Sequence, residues 1–183
     1  MCTEIKKPAA FLDRDGVLTE ENSYVSSVEQ LKIFPYTEAC VRKLRQKGYY
    51  TIVVTNQSGV ARGLFTEEAL QEMNDYLMKQ TGVDAVFYCP HHPDGRIERY
   101  RRNCTCRKPG TGMFEAACGE FEIDLSRSYM IGDRAGDILA GQNAGVRTIL
   151  LQSGYGTAGL EADVTPDHIM QDLRDAAAYL PDV

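Results

Sequence analysis

Short apolar runs alternate with amphipathic segments along most of this chain, and this alternation constrains its fold more than any other feature. The runs are rich in β-branched and aromatic residues, as in YYTIVVT at 49–55, which is typical of strands covered on both faces. We predict strands at Ala9–Asp13, Tyr49–Thr55, Ala85–Tyr88, Ser128–Ile131 and Thr148–Leu151. We predict helices at Tyr36–Lys47, between Thr66 and Gly82, and at Thr111–Phe121, Arg134–Asn143 and Gln171–Leu180. Strands that alternate with helices predict an α/β fold with a mainly parallel sheet.

The composition narrows the class of protein further. The chain has 183 residues, of which 43% are hydrophobic and 25% are charged, values that predict one globular domain over 1–183. Its net charge of −6 does not favour nucleic acid or an anionic membrane surface as a partner. No run approaches the roughly 18 apolar residues of a membrane span. We expect a cytoplasmic protein with reduced thiols, and we expect a monomer.

Acidic and polar residues follow several of the predicted strands. Asp13 ends the first strand and Asp15 lies two residues beyond it, Thr55 ends the second strand, and Asp133 follows the fourth. Because ligands of open α/β sheets bind beyond the carboxyl ends of the strands, we expect these side chains to converge. Converging carboxylates repel one another unless a cation lies between them. An oxygen-only ligand set selects a hard ion, for which Mg²⁺ with substrate phosphate is the natural candidate. Thr55 and Lys108 then supply a hydroxyl group and a positive charge for phosphoryl oxygens.

The segment Pro90–Pro109 interrupts the alternation and is rich in Arg, Cys, His and Pro. Loops of this length inside a compact domain are usually functional. Three cysteines and a histidine at its two ends form a ligand set for structural Zn²⁺, and in a reducing compartment such a cluster indicates a metal sooner than disulfides. These residues are Cys89, His91, Cys104 and Cys106, in an insertion that spans 89–109. His92 competes with His91 for the ligand role, and spacing does not separate them.

Four motifs occur in a fixed order between Phe11 and Asp137: DRDG at 13–16, a hydrophobic strand that ends in Thr-Asn, Arg-Lys-Pro at 107–109, and GDRAGD at 132–137. In this order the sequence resembles the haloacid dehalogenase superfamily of phosphotransferases. The resemblance implies a doubly wound sheet with helices on both faces, Mg²⁺, and catalysis through an aspartyl-phosphate. Asp137 either supports the shell of the metal or caps the helix that follows.

The resemblance also implies a role for each matching residue. Asp13 resembles the nucleophile that attacks phosphorus. Asp15 resembles the acid and base that protonates the leaving alcohol and later activates water, and it is expected to meet Mg²⁺ through its backbone carbonyl. Asp133 resembles the third metal ligand. Thr55 and Lys108 resemble the residues that stabilise the transferring phosphoryl group.

The insertion as a whole resembles the zinc-containing branch of this superfamily, in which the metal pins a loop over the active site in place of a large cap domain. This implies that His91 is the ligand. The doublet His91-His92, the long basic loop and Ser58–Gly63 resemble the members of this branch that act on heptose 1,7-bisphosphate, which implies removal of the 7-phosphate. Histidinol phosphate is the alternative substrate. A zinc-ordered binding module without catalysis is a third interpretation, which the intact acidic motifs disfavour.

An enzyme that acts on a sugar bisphosphate needs side chains that contact the sugar and the phosphate that is not removed. Six of the twenty basic residues lie between Arg96 and Lys108, and arginine forks match phosphate oxygens. We expect Arg107, with Arg101 or Arg102, to reach a phosphate at the far end of the substrate. The expected substrate-binding residues are Glu21, Asn22, Ser23, Tyr24, Asn56, Gln57, Ser58, Arg107 and Arg134.

Overall fold

The computed structural model describes residues 6–161 and 163–183, and its centre is a six-stranded sheet. The strands are β1 (Ala9–Leu12), β2 (Tyr50–Asn56), β3 (Ala85–Cys89), β4 (Tyr129–Gly132), β5 (Arg147–Leu151) and β6 (His168–Met170). All their pairings are parallel, and their order is β3-β2-β1-β4-β5-β6. The order reverses between β1 and β4, so the doubly wound α/β fold is confirmed, with a sheet that is wholly rather than mainly parallel.

Helices cover both faces of this sheet. They are α1 (Thr37–Gln46), α2 (Gly59–Arg62), α3 (Glu67–Thr81), α4 (Gly112–Glu120), α5 (Ala135–Ala144) and α6 (Leu173–Tyr179). Because successive strand residues point to opposite faces, Leu12 packs into the core with α1, α3 and α6, whereas Phe11 packs with α4 and α5. The rings of Phe11 and Phe114 lie 4.6 Å apart across the second face. The sheet is therefore buried on both sides, which agrees with its continuous apolar runs.

The structure differs from the predicted elements mainly near the C-terminus of the chain, in β6 and α6. Strand β6 was not predicted, because three residues at a sheet edge carry too short a pattern. Its position is set by Asp167, which accepts hydrogen bonds from the backbone N–H and hydroxyl of Thr148 at 2.7 and 2.8 Å. The last helix begins at Leu173 rather than Gln171, because the side chain of Asp172 accepts the N–H of Arg174 at 2.8 Å and acts as its N-cap.

Two loops replace a large cap over the carboxyl edge of the sheet. The first joins β1 to α1 with one 3₁₀ turn at Val28–Gln30, and the second, the insertion 89–109, has one at Glu98–Tyr100. The insertion packs on α2 and α3: the carbonyl of Ala61 accepts the N–H groups of residues 96 and 97 at 2.7 and 2.9 Å, and the Tyr100 hydroxyl donates to Glu67. Among the described helices, none has both the length and the apolar character that a bilayer crossing requires.

Candidate active site

Three buried carboxylates meet at the point where the strand order reverses. Asp13 follows β1, Asp133 follows β4, and Asp137 lies in the first turn of α5. One oxygen from each of these side chains lies within 4.8 Å of the others. This is the edge at which open α/β sheets bind ligands, so the predicted convergence of Asp13 and Asp133 agrees with the structure.

Lys108 places a positive charge inside this acidic group. Its Nζ lies 2.9 Å from Oδ1 of Asp13 and 2.6 Å from Oδ1 of Asp137, and it donates to the carbonyl of Val54 at 2.7 Å. Burial lowers the pKa of Lys108, but its two ion pairs outweigh that effect and leave the pKa raised. Asn56 holds the lysine backbone through two hydrogen bonds of 3.0 and 3.1 Å. Lys108 is therefore a fixed, charged group that is tied to β2.

One lysine does not neutralise three carboxylates, and two of these carboxylates have raised pKa values. Burial raises the pKa of Asp13 to about 6, against the opposing charge of Lys108. Burial and the charge of Asp13 raise the pKa of Asp133 to about 8. Oδ2 of Asp133 accepts the N–H of Tyr155 at 2.9 Å, whereas the buried Oδ1 has no hydrogen-bond partner among the described residues. A hard divalent cation fits these acids, because it supplies the missing charge and a partner for the oxygen.

The chain reaches Asp133 closely from two sides, and glycine makes this possible. Gly16 has a φ of 84°, and a Cβ atom at this position would lie 2.4 Å from Oδ2 of Asp133. A Cβ atom on Gly154 would lie 2.0 Å from the same oxygen. Both glycines are therefore needed for the turns after β1 and β5 to approach this carboxylate.

Asp137, whose role the sequence leaves open, caps the helix. Its Oδ2 accepts the N–H of Asp133 at 3.2 Å and that of Arg134 at 3.1 Å, while its Oδ1 pairs with Lys108. Both oxygens are thus engaged by donors of the protein. Asp137 fixes the lysine and the start of α5, and Asp133 is the acid with an unpaired oxygen.

The carboxylate of Asp15 lies outside the acidic group and is held by donors. Nε and Nη2 of Arg14 donate to its two oxygens at 3.0 and 2.9 Å. Thr19 donates at 3.2 Å, and Gln57 at 2.9 Å. The same Gln57 amide donates to the hydroxyl of Thr55 at 2.9 Å, so it joins the two expected catalytic side chains.

A cavity of about 370 Å³ opens above these groups. It is lined by most of the residues that the sequence indicates: Asp13, Asp15, Glu21, Asn22, Ser23, Tyr24, Thr55, Asn56, Ser58, Arg107, Lys108 and Arg134. Gln57 is not among the lining residues; it is 5% exposed and lies behind Asp15 and Thr55, because its amide is used by those side chains. Arg14 and Tyr155 line the cavity and were not predicted, although Arg14 lies between two expected catalytic acids and Tyr155 follows β5.

Only part of the arginine-rich loop faces this cavity. Arg107 lines it and donates to the carbonyl of His91 at 3.4 Å. Arg101 and Arg102, expected as alternatives, do not line it: Arg101 pairs with Glu98 at 2.5 Å, and Arg102 lies 2.7 Å from Nε2 of His91. The structure therefore places neither of them beside Arg107 at the cavity.

Arg134 also lines the cavity. Its guanidinium group pairs with Glu21 at 3.0 Å and lies over the ring of Tyr155, 3.9 Å from the centroid. Burial and Arg134 act in opposite directions on the pKa of Glu21, and burial prevails, so that pKa is raised. The pair forms a polar wall that can contact hydroxyl or phosphate oxygens.

The thiol and imidazole groups of the insertion lie together as a second cluster. The sulfur of Cys106 lies 3.0 Å from that of Cys89 and 3.2 Å from that of Cys104, and Nδ1 of His91 lies 3.4 Å from Cys106. One ligand atom from each of the four residues lies within 4.8 Å of the others, so the cluster can hold a metal ion. His92 is used elsewhere: its Nδ1 accepts the N–H of Asp94 at 3.1 Å. The fold thus separates the two histidines.

Known proteins similar to this chain agree with this geometry. Residues 105–176 match a family model described as HAD-hydrolase-like. A D-glycero-beta-D-manno-heptose-1,7-bisphosphate 7-phosphatase of Haemophilus ducreyi is 38% identical over 181 residues, which cover 95% of this chain and 98% of that protein. A D-glycero-alpha-D-manno-heptose-1,7-bisphosphate 7-phosphatase of Photorhabdus laumondii is 41% identical over 162 residues, which cover 84% of this chain and 87% of that protein.

A solved structure gives the same result. The D,D-heptose 1,7-bisphosphate phosphatase of B. bronchiseptica, described as complexed with magnesium and phosphate, matches with a TM-score of 0.80 and 33% identity. The match covers 94% of this chain and 97% of that one. This chain therefore belongs to the haloacid dehalogenase-like family of D-glycero-D-manno-heptose-1,7-bisphosphate 7-phosphatases.

Proposed function

We propose that this chain is a Mg²⁺-dependent phosphatase that removes the 7-phosphate of D-glycero-D-manno-heptose 1,7-bisphosphate through an aspartyl-phosphate. The observation that carries the proposal is the buried group of Asp13, Asp133 and Asp137 with Lys108, next to a cavity that Arg107 and Arg134 line. The relatives and the solved structure named above support the choice of heptose 1,7-bisphosphate as the substrate. In the cell, the product belongs to the class of heptose phosphates that are activated for cell-surface glycans.

The reaction needs two displacements at phosphorus. Asp13 attacks, so a bond forms between its carboxylate oxygen and phosphorus while the bond from phosphorus to the 7-oxygen breaks. Asp15 gives its proton to the leaving 7-oxygen. In the second step Asp15 takes a proton from water, the water oxygen attacks phosphorus, and phosphate and free Asp13 are released. Thr55 and Lys108 bind the phosphoryl oxygens in both steps, so their fixed positions supply electrostatic stabilisation.

The metal of the transfer site is Mg²⁺ in this proposal. The side chains of Asp13 and Asp133 and the backbone carbonyl of Asp15 would hold it. Its contribution is to neutralise charge on the phosphoryl oxygens and to keep Asp13 anionic. The unpaired Oδ1 of Asp133 and the raised pKa values of Asp13 and Asp133 support this assignment.

Zn²⁺ is the proposed metal of the second cluster, bound by Cys89, His91, Cys104 and Cys106. Three sulfur ligands and one nitrogen are a closed structural set, without an open position for chemistry. The mutual distances of these atoms support the assignment. The metal would secure the end of the insertion that leads into Arg107 and Lys108.

The remaining cavity residues bind the rest of the substrate. We assign contacts with the sugar to the segment 21–24 and to Asn56 and Ser58, and contacts with the distant phosphate to Arg107 and Arg134. In this proposal, chain 1–183 acts as a single domain and as a monomer. A cytoplasmic location agrees with thiol ligands, which need a reducing compartment.

The test is phosphate release from a panel of substrates: both anomers of the heptose 1,7-bisphosphate, histidinol phosphate and common sugar monophosphates. The bisphosphate should have the highest kcat/KM and should lose its 7-phosphate. Arg107→Ala should cost about 2–5 kcal/mol with the bisphosphate, the scale for removing one partner of a buried charge pair, and little with a small aryl phosphate. Arg101→Ala, which removes an arginine outside the cavity, is the matched control. Higher kcat/KM with histidinol phosphate would reject the assignment.

A further inference from the structure

Arg14 is a charged side chain in a place where charge is costly. It is 1% exposed and is the largest of the fully buried side chains among the described residues. It lies between Asp13 and Asp15 in the chain. Burial of a guanidinium group removes its hydration, and a buried ion pair often stabilises a protein no more than apolar side chains of the same volume. Stability alone therefore does not explain why an arginine stands here.

The hydrogen bonds of the Arg14 side chain go to a single residue. Nε donates to Oδ1 of Asp15 at 3.0 Å, and Nη2 donates to Oδ2 at 2.9 Å. The third nitrogen, Nη1, is buried and has no hydrogen-bond partner in the described part of the chain. A planar fork on both oxygens fixes the plane of the carboxylate as well as its position.

Two further donors complete this arrangement from other segments. The amide of Gln57, which follows β2, donates to Oδ2 of Asp15 at 2.9 Å, and the hydroxyl of Thr19 donates to Oδ1 at 3.2 Å. Gln57 is 5% exposed. Because its amide also reaches Thr55 at 2.9 Å, Gln57 sets the distance between Asp15 and a group that binds the phosphoryl oxygens.

We propose that Arg14 and Gln57 are positioning residues that hold the Asp15 carboxyl in the orientation from which it exchanges protons with the leaving oxygen and with water. The inference rests on the role of Asp15 in the proposed function. Their shared role is to hold the Asp15 carboxyl, and neither is assigned a contact with the substrate. Loss of either should therefore lower kcat and leave KM nearly unchanged, with a loss of about 10²-fold when an acid is misplaced by roughly 1 Å.

The leaving group separates a positioning role from a structural one. In a single turnover with enzyme in excess, release of an alkoxide from the sugar phosphate needs the proton of Asp15, whereas release of 4-nitrophenolate from 4-nitrophenyl phosphate does not. Arg14→Met should slow the first reaction about 10²-fold and the second less than about threefold. Gln57→Leu should also slow the first reaction more than the second, but with smaller selectivity, because the variant removes the hydrogen bond to Thr55 as well. Arg42→Met, at an exposed arginine that pairs with Glu38, is the matched control and should change neither rate.

A double-mutant cycle shows whether Arg14 acts through Asp15. Arg14→Met should add little to the loss already caused by Asp15→Asn, because the group that it positions is then absent. Equal slowing of both substrates, or full additivity with Asp15→Asn, would overturn the inference. If Arg14→Met does not fold, Arg14→Lys and Gln57→Leu decide by the same measurements. Unchanged activity of Asp15→Asn alone would instead reject the proposed function.

Discussion

The two clusters of candidate metal ligands differ in what holds their side chains in place. Asp13 and Asp133 follow directly from two neighbouring central strands, and Lys108 lies among the acids as an internal cation. The cysteines and His91 lie at the ends of a loop, with sulfur atoms 3.0–3.4 Å apart. The sheet therefore preorganises the first cluster before an ion binds. The second cluster depends much more on the ion itself.

The insertion is not held by its cluster alone. Residues 96 and 97 bond to Ala61, and Tyr100 donates to Glu67, so the middle of the loop is attached to α2 and α3. The ends of the loop carry the thiols. We therefore expect loss of the metal to free the ends, including the segment before Lys108, while the middle and the core keep their structure.

The largest effect should come from the preorganised cluster. Asp13→Asn should abolish turnover, by more than about 10⁴-fold, because an amide has nearly the same shape but is not a nucleophile. The melting temperature should not fall, since the change removes a buried acid whose pKa is raised. Phosphate release and thermal unfolding measure the two quantities. Substantial residual activity would contradict the covalent route and, with it, the functional contrast between the clusters.

The second prediction concerns the loop cluster. Cys104→Ser should lower the zinc content, which we expect to be about one ion per chain, and should expose the ends of the insertion to proteolysis. Mild treatment with EDTA should remove Mg²⁺ and activity, both restored by Mg²⁺, while zinc stays bound. Elemental analysis and limited proteolysis are the measurements, and Cys118→Ser, at an exposed cysteine outside the cluster, is the control. A fully active wild-type protein without zinc would contradict the claim that the loop cluster depends on its metal ion.

The smallest effect is a pH dependence of stability in the carboxylate cluster. The pKa of Asp133 is raised to about 8 in the folded protein, so the metal-free fold binds a proton that the unfolded chain has lost. The free energy of unfolding should therefore fall as the pH rises from about 5 to 8. Mg²⁺ should offset this loss, and the rise in Tm that it causes should grow over the same interval, by about 3 °C for each kcal/mol. A Mg²⁺ effect on Tm that is independent of pH would contradict the excess of negative charge in this cluster. Asp133→Asn should remove the part of the trend above about pH 6, because the pKa of Asp13 is raised only to about 6.

Several elements were predictable because their signal is local. The strand β2 is a continuous apolar run, α3 begins at a Thr66 cap and ends at Gly82, and the acids follow β1 and β4 directly. Other features depend on distant partners. Strand β6 depends on the contact between Asp167 and Thr148, and the separation of His91 from His92 depends on which backbone groups surround each ring.

By itself, the sequence determined the order of strands and helices, the edge of the sheet at which the acids gather, and the set of residues that can bind a metal. These follow from residue periodicity and from the rule that parallel strands present their carboxyl ends together. Only the tertiary structure decided that Gln57 lies behind the cavity and that Asp137 caps α5 and holds Lys108. It also decided that the guanidinium group of Arg14 donates its hydrogen bonds to Asp15. Side chains such as Gln57 and Lys108 have their partners in distant segments, and Arg14 has several possible acceptors nearby, so no local pattern records which contacts form.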